Sequence, residues 1–223
     1  FAAAGEVLAK SLLMGGVTAR FPDLRIALME GGVQNGVRLY ADLFGRWQKR
    51  NPAGLENLNP ANLDLEEAHR LFQEYASSAV AGKLDQLNET LSVNPQVVEP
   101  QHRDDFAAMD VHSEEDLRDR FIPNFYYGCE ADDPMSSIAF DRRINPMGEQ
   151  VRAIMSFDLG HWDVTDMTHA AAEAYEQVED GLFSLEDFRK FGFENSVHLY
   201  ADNNHDFFKG TAVESEAAEV LTA

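Results

Sequence analysis

The stretch Val151-Arg-Ala-Ile-Met-Ser-Phe-Asp158-Leu-Gly-His161-Trp-Asp163 decides the fold class that the sequence predicts. It begins as a short apolar run, Val151 to Phe157, which follows the turn-forming residues Asn145-Pro-Met-Gly148. An apolar run of this length between turn signals is typical of a buried strand. An aspartate, a histidine and a second aspartate follow directly. Because α/β enzymes gather functional groups where buried parallel strands end, we predict a functional site after this strand.

Two further segments repeat the pattern of a short apolar run that ends in acidic residues. Leu24 to Met29 ends in Glu30-Gly-Gly32 and is followed by a predicted helix to about Arg50. Ile122 to Cys129 ends in Glu130-Ala-Asp-Asp133. The strand predicted at Val151 to Phe157 is followed by an Ala-rich helix, for which Thr165 or Asp166 is the expected cap. Strands that alternate with helices predict an α/β fold with a parallel sheet.

The charge of the chain limits the kinds of partner it can bind. Its 223 residues include 39 acidic and 18 basic residues, which gives a formal net charge of -21. Such a surface repels phosphate backbones and anionic lipids, so neither nucleic acid nor a membrane is an expected partner. No run of about 18 apolar residues is present. The single cysteine, Cys129, cannot form an internal disulfide, which favours a cytoplasmic location.

Four motifs, in chain order, resemble those of the amidohydrolase-related family of metal-dependent hydrolases and decarboxylases, of the aminocarboxymuconate-semialdehyde decarboxylase type. Arg20 to Gly32 is similar to the sixth strand of that family and the turn after it. Phe125 to Glu130 lies where the seventh strand is expected, and Ser156 to Asp163 resembles the eighth. Glu194-Asn-Ser-Val-His-Leu-Tyr200 is similar to the closing Glu-Asn-Ala-x-x-Leu-Tyr helix.

The resemblance implies a TIM (β/α)8 barrel of the metal-dependent hydrolase type. A whole barrel needs about 250 residues and eight strand-helix units. The chain, 1–223, would therefore be the C-terminal part of one barrel domain, supplying roughly strands 6–8 and their helices. A helical insertion is expected at 51–121 and a polar tail at 203–223. The chain begins at Phe1 within helical sequence, so the family's first-strand His-x-His or Glu-x-His pair and fifth-strand histidine are expected upstream of it.

The resemblance also implies roles for individual residues. Asp158 corresponds to the strand-eight aspartate that binds or adjoins the divalent metal, zinc by expectation, and handles the proton of the attacking water. Glu30 and His161 are the other predicted catalytic residues, and Glu130 and Trp162 are predicted to bind substrate. Since Asp158 is the one ligand in a matching position and catalytic zinc sites use about three protein ligands, this chain alone is expected to bind the metal poorly and to be inactive.

Each of these residues also has a purely structural interpretation. Asp158 could cap the turn that follows its strand, and Glu30 could be a helix-start carboxylate favoured by the helix dipole. His161 could simply pack beside Trp162, and Glu130 could be a solvated strand end. The remaining histidines show no ligand spacing; they are His69, His102, His112, His169, His198 and His205.

Three functional hypotheses follow. The first is a metal-dependent hydrolase in which metal-activated water attacks a small-molecule substrate, with Asp158 as general acid and base. The second is non-oxidative decarboxylation of an aromatic or unsaturated carboxylic acid. The third, from another class, is a non-catalytic half-barrel scaffold or binding module. The insertion at 51–121 either covers the site or forms a homodimer contact, and its residues leave both interpretations open.

Overall fold

The computed structural model describes residues 2–59, 62–90 and 103–222. Within these ranges the strands are β1 (Ile26–Leu28), β2 (Phe125–Glu130) and β3 (Arg152–Ser156). The α-helices are α1 (Ala2–Met14), α2 (Val17–Arg20), α3 (Gln34–Arg50), α4 (Pro52–Asn57), α5 (Leu65–Tyr75), α6 (Leu87–Thr90), α7 (Glu114–Phe121), α8 (Ala170–Glu179), α9 (Leu185–Arg189), α10 (Asn195–Ala201) and α11 (Glu214–Thr222). Four short 3-10 helices and one π-helical turn complete the elements; they are Ala81–Gln86, Ala107–Met109, Pro134–Ala139, Pro146–Gly148 and Lys190–Glu194.

The three strands form one parallel sheet in the order β1-β2-β3. Leu28 of β1 pairs with Tyr127 of β2, and Glu130 of β2 pairs with Ser156 of β3. β1 and β3 lie inside the segments predicted for them, and β2 extends one residue beyond its predicted segment, to Glu130, so local apolar runs bounded by turn residues were sufficient to locate the strands. Because all three run in the same direction, their carboxyl ends lie at a single edge of the sheet.

The prediction that the chain forms part of a TIM (β/α)8 barrel is wrong. Helices dominate the fold and the described residues contain only a small three-stranded sheet that does not close. Both β1 and β3 are edge strands, whereas a barrel requires every strand to be paired on both sides with a consistent tilt and stagger. The strands have three, six and five residues, so the architecture is a short open sheet among helices.

Side-chain caps fix several helix starts. Asp64 accepts a hydrogen bond from the Glu67 amide at the start of α5. Ser113 and Asp116 form a capping box at the start of α7, in which each side chain accepts a hydrogen bond from the other residue's backbone amide. The predicted cap of α8 is wrong, because the Asp166 carboxylate accepts from the Thr168 amide in a separate turn and the helix begins only at Ala170.

The chain divides into two compact units, and the first contains residues 1–45 and 108–223. One part of its core is a series of buried rings from α3, α7 and β2. The ring centroids of Tyr40 and Phe121 lie 5.0 Å apart, and those of Phe121 and Phe125 lie 5.3 Å apart. A second series lies around the π-helical turn, where Phe183 stacks on Phe191 at 5.3 Å. These buried aromatic contacts hold α3, α7 and the π-helical turn around the sheet.

The second unit, Arg46–Ala107, overlaps the segment 51–121 that was predicted as an insertion. Inside this unit the rings of Trp47 and Phe106 meet edge to face at 5.3 Å. Residues 60–61 and 91–102 of the predicted insertion lie outside the described residues. Its role as a cover or as a homodimer contact stays a prediction.

The segment from 203 onward, expected as a polar tail, contains α11. Ala217 of α11 is buried against Val197 and Ala201 of α10, and this contact ties the segment to the first unit. Across the described ranges, none of the helices has the length and apolar character that crossing a bilayer requires.

Candidate metal centre

The carboxyl edge of the sheet brings together the acids that end the three strands. Glu130 is the last residue of β2, and Glu30 and Asp158 each lie two residues beyond the end of their strand. The sheet is parallel, so these three positions share one edge. The structure therefore collects at one place three acids that are at least 28 residues apart in the sequence.

Glu30 and Asp158 also share an uncommon backbone conformation. Their φ angles are 58° and 48°, in the left-handed region that residues other than glycine rarely adopt. This conformation costs a non-glycine residue about 1 kcal/mol. Strained positions of this kind are concentrated at functional sites. Of the four described non-glycine residues with positive φ, two are these acids, which the sequence predicted to be catalytic, and the other two are Asp110 and Met147.

The turn after β3 places an imidazole between two carboxylates. The His161 amide donates to the Asp158 carbonyl oxygen at 3.1 Å, and Gly160, with φ of 99°, allows the tight turn. Nδ1 of His161 forms a hydrogen bond with Oδ1 of Asp163 and lies 3.4 Å from Oδ2 of Asp158. One ligand atom from each of the three residues lies within 4.8 Å of the other two. We call Asp158, His161 and Asp163 the carboxylate–imidazole cluster.

His161 and Asp163 influence each other's pKa. The hydrogen bond with Asp163 raises the pKa of His161 above its ordinary value, and the same bond lowers the pKa of Asp163. The side chains of Asp158, His161 and Asp163 remain 40%, 49% and 53% exposed, so a solvated ion can reach all three.

The pKa of the Glu130 carboxyl shifts upward, in the opposite direction to that of Asp163. Partial burial, followed by repulsion from Asp158, Asp132, Asp163 and Glu30, raises the pKa of its carboxyl. The neighbouring carboxylates therefore favour either a proton or a cation at this edge of the sheet.

A cleft of about 370 Å³ opens beside the cluster, and its lining is strongly acidic. Among the described residues that line it, six carry a carboxylate and none is Lys or Arg; the six are Glu130, Asp132, Asp158, Asp163, Asp166 and Glu173. With no basic group to compensate them, these charges create a potential that attracts cations.

The structure brings four of the five predicted site residues to this edge. Asp158 and Glu130 line the cleft, His161 joins Asp158 in the cluster, and Glu30 acts electrostatically on Glu130. Trp162, predicted to bind substrate, is 84% exposed and does not line the cleft, although its ring lies 6.0 Å from that of His161.

Sequence reasoning assigned no role to Asp163, which the structure places in the cluster. The available signal was the spacing Asp158-x-x-His161-x-Asp163, which a single turn can fold onto one point. Asp166 and Glu173 were missed as well, because their place at the cleft depends on where α8 begins. Of the scattered histidines, His102 lies outside the described residues.

The donor set fits a divalent cation. Zinc accepts imidazole nitrogen and carboxylate oxygen ligands, and three protein ligands with an open position are typical of catalytic zinc sites. Carboxylate oxygens also suit manganese and magnesium. The cluster thus supplies two candidate ligands, His161 and Asp163, besides the one that the sequence predicted.

Comparison of the chain with protein-family models, curated proteins and solved structures found no match. The resemblance of the four motifs to the amidohydrolase-related family therefore stays a prediction.

Proposed function

We propose that the protein is a divalent-metal-dependent hydrolase of a small molecule, with Asp158, His161 and Asp163 as metal ligands. One observation carries the proposal: the acids that end three parallel strands meet at one sheet edge, and an imidazole and a second carboxylate join the last of them within ligand distance. The motif around Asp158 supports the same chemistry through its resemblance to the amidohydrolase-related family.

Each residue of the site has a distinct role in the proposed hydrolysis. Asp158, His161 and Asp163 would hold the divalent cation, which would supply a Lewis acid to polarise the substrate and to lower the pKa of water. Asp158 has two carboxylate oxygens, so one can ligate while the other accepts the proton of the attacking water and returns it to the leaving group. In the metal-free protein, Asp163 holds the His161 imidazole beside Asp158 through their hydrogen bond. Glu30, which follows β1, and Glu130, which ends β2, orient the substrate or relay protons.

The charge of the cleft favours hydrolysis over decarboxylation. A carboxylic acid substrate enters as an anion, and six carboxylates without a basic partner line the cleft. Like charges held close together in a partly desolvated site repel strongly. A neutral or cationic ester, amide or lactone meets no such barrier, and we propose substrates of this kind.

The test is turnover of such a panel, with aromatic carboxylic acids included, by chelator-treated protein and by the same protein after zinc or manganese is restored. We expect metal-dependent hydrolysis that Asp158→Asn lowers at least about 100-fold in kcat/KM, since it removes the proton acceptor. Asp206→Asn is the charge-matched control, because Asp206 is an exposed acid paired with Lys209 at 3.8 Å. Full activity of Asp158→Asn, or equal loss in both variants, contradicts the proposal.

The exposure of the cluster favours a second candidate, a binding module that holds a cation without catalysis. Catalytic sites exclude water around the reacting groups, whereas Asp158, His161 and Asp163 are 40–53% exposed in this structure. Under this alternative the protein binds the ion and loses it in Asp158→Asn, but hydrolyses no member of the panel.

A further inference from the structure

The turn after β2 carries two of the acids that line the cleft. Glu130 and Asp132 flank Ala131 in this turn, and the Asp133 amide donates to the Glu130 carbonyl oxygen at 3.2 Å. Oδ1 of Asp133 then caps the 3-10 helix Pro134–Ala139 by accepting from the Met135 amide at 2.9 Å. We call residues 130–133 the acidic turn.

Two glutamine side chains donate hydrogen bonds to the acidic turn. Nε2 of Gln34, at the start of α3, donates to Oδ2 of Asp133 at 2.7 Å. Nε2 of Gln177, in α8, donates to the Ala131 carbonyl oxygen. Gln34 follows β1 and Gln177 follows β3 in the chain, so the turn of the central strand is tied to helices that follow both neighbouring strands.

Burial and two backbone hydrogen bonds fix the position of Gln177. The residue is 4% exposed, and its backbone carbonyl oxygen accepts from the amides of Leu182 at 2.9 Å and Phe183 at 3.2 Å. Its Oε1 is buried and has no hydrogen-bond partner among the described residues. A buried amide oxygen without a donor costs stability, so the amide is better explained by its Nε2 contact than by packing.

Electrostatics gives a reason for amides at these two positions. The acidic turn faces Asp158 and Asp163 across the cleft, so mutual repulsion pushes it away from the sheet edge. The charge of a lysine or arginine donor would cancel part of the negative potential, and at the buried position 177 it would also carry a desolvation cost. A neutral donor resists the repulsion and leaves the potential intact.

We propose that Gln34 and Gln177 are positioning residues that hold the acidic turn at the sheet edge against the repulsion of the surrounding carboxylates. Their effect on cation binding at that edge rests on the proposed function, whereas the holding of the turn does not. The two parts are tested separately.

The first experiment measures amide hydrogen exchange of residues 130–136 in metal-free protein. Gln177→Met keeps the shape and removes the donor, and we expect exchange there to accelerate about fivefold, the effect of one lost hydrogen bond on a local opening. Adding Asp132→Asn, or about 0.5 M NaCl to screen the charges, should suppress most of the acceleration. If Gln177 only packs, neither Asp132→Asn nor salt would reduce the acceleration. The proposal is overturned if Gln177→Met leaves exchange unchanged, or if neither treatment reduces the acceleration.

Gln150→Met is the control, because Nε2 of Gln150 also donates to a backbone carbonyl oxygen, that of Phe140 at 3.3 Å, and to Oδ1 of Asp187 at 2.7 Å, and neither acceptor belongs to the acidic turn. It should leave exchange in the acidic turn unchanged. Gln34→Met provides a second test at a half-buried side chain if Gln177→Met does not fold, and the same acceleration and the same suppression are expected. Acceleration by Gln150→Met as well would overturn the specific role of the two glutamines.

The second experiment measures Mn²⁺ affinity by calorimetry. We expect Gln177→Met to weaken binding about threefold, because the carboxylates of the acidic turn would lie farther from the ion and attract it less, and Gln150→Met to leave it unchanged. If wild-type protein binds no Mn²⁺, the proposed function fails while the exchange experiment still decides the positioning role. If wild-type protein binds and Gln177→Met binds equally well, the influence of the glutamines on the metal centre is refuted.

Discussion

At the scale of single residues, Asp158 combines a functional group with an unfavourable backbone conformation. Its φ of 48° lies where glycine is the best residue, yet the position carries an acid. The sequence identified Asp158 because an acid follows an apolar run, but it gave no sign of the left-handed conformation. That conformation is set by the tight turn through Gly160 to His161, which depends on contacts that form only in the folded protein.

The strain at Asp158 leads to a stability prediction for metal-free protein. Asp158→Gly and Asp158→Ala both remove the charge, but only glycine adopts this φ without strain. We expect Asp158→Gly to have a free energy of unfolding about 1 kcal/mol higher than Asp158→Ala, measured by urea denaturation. Equal stabilities, or a more stable alanine variant, would show that the position is not strained.

The pairing of His161 with Asp163 leads to a prediction about pH. We expect the pKa of His161, measured by NMR titration of metal-free protein, to exceed its ordinary value of 6.5, and Asp163→Asn to lower it. Because the pKa of His161 is raised in the folded state, the pair stabilises the fold fully at pH values below the unfolded-state pKa. This stabilisation is lost as pH rises through the folded-state pKa. Metal binding needs neutral imidazole, so metal affinity should increase over the same pH range. Asp206→Asn, the control, should leave the titration of His161 unchanged.

At the scale of elements, the sequence located what local interactions determine. The three strands and the capping box of α7 follow from neighbouring residues alone. The start of α8 was misplaced because Asp166 has a choice between capping a helix and closing its own turn with Thr168 and His169, and the sequence does not reveal which it makes. That choice also decides which acids reach the cleft.

The capping box gives the prediction at this scale. Ser113→Ala should lower the free energy of unfolding by about 1 kcal/mol, because it leaves the Asp116 amide without its partner. Hydrogen bonds, first of all from the His112 amide, lower the pKa of Asp116. The Asp116 carboxylate therefore stabilises the folded protein above its ordinary pKa of 3.8, and this stabilisation is lost as pH falls through the lowered pKa. Ser215→Ala, at an exposed position inside α11, is the control and should not destabilise. A Ser113→Ala variant as stable as wild type would contradict the role of the cap.

At the scale of the whole molecule, the barrel prediction failed because closure is not a local property. Three strand-helix units in order are compatible with a barrel and with an open sheet, and the number and stagger of the paired strands decide between them. The site was predictable in part, since parallel strands collect their carboxyl ends in either arrangement. The residues around it were not, because Gln34 and Gln177 reach the acidic turn only through the packing of α3 and α8.

The net charge of -21 gives a prediction for the whole chain. Self-repulsion destabilises a compact state of high charge, and salt screens it. We expect the Tm of metal-free protein to increase when NaCl is raised to about 0.5 M, and to increase equally in choline chloride. An increase in NaCl alone would indicate specific binding of sodium instead of screening.

The central claim is that the carboxylate–imidazole cluster binds a divalent cation, and native mass spectrometry during a zinc titration tests it most directly. We predict one ion bound per chain by wild-type protein and by Asp206→Asn, and affinity reduced at least about tenfold in Asp158→Asn and in Asp163→Asn. Absence of a bound ion in wild-type protein, or equal binding by all four proteins, would contradict the claim.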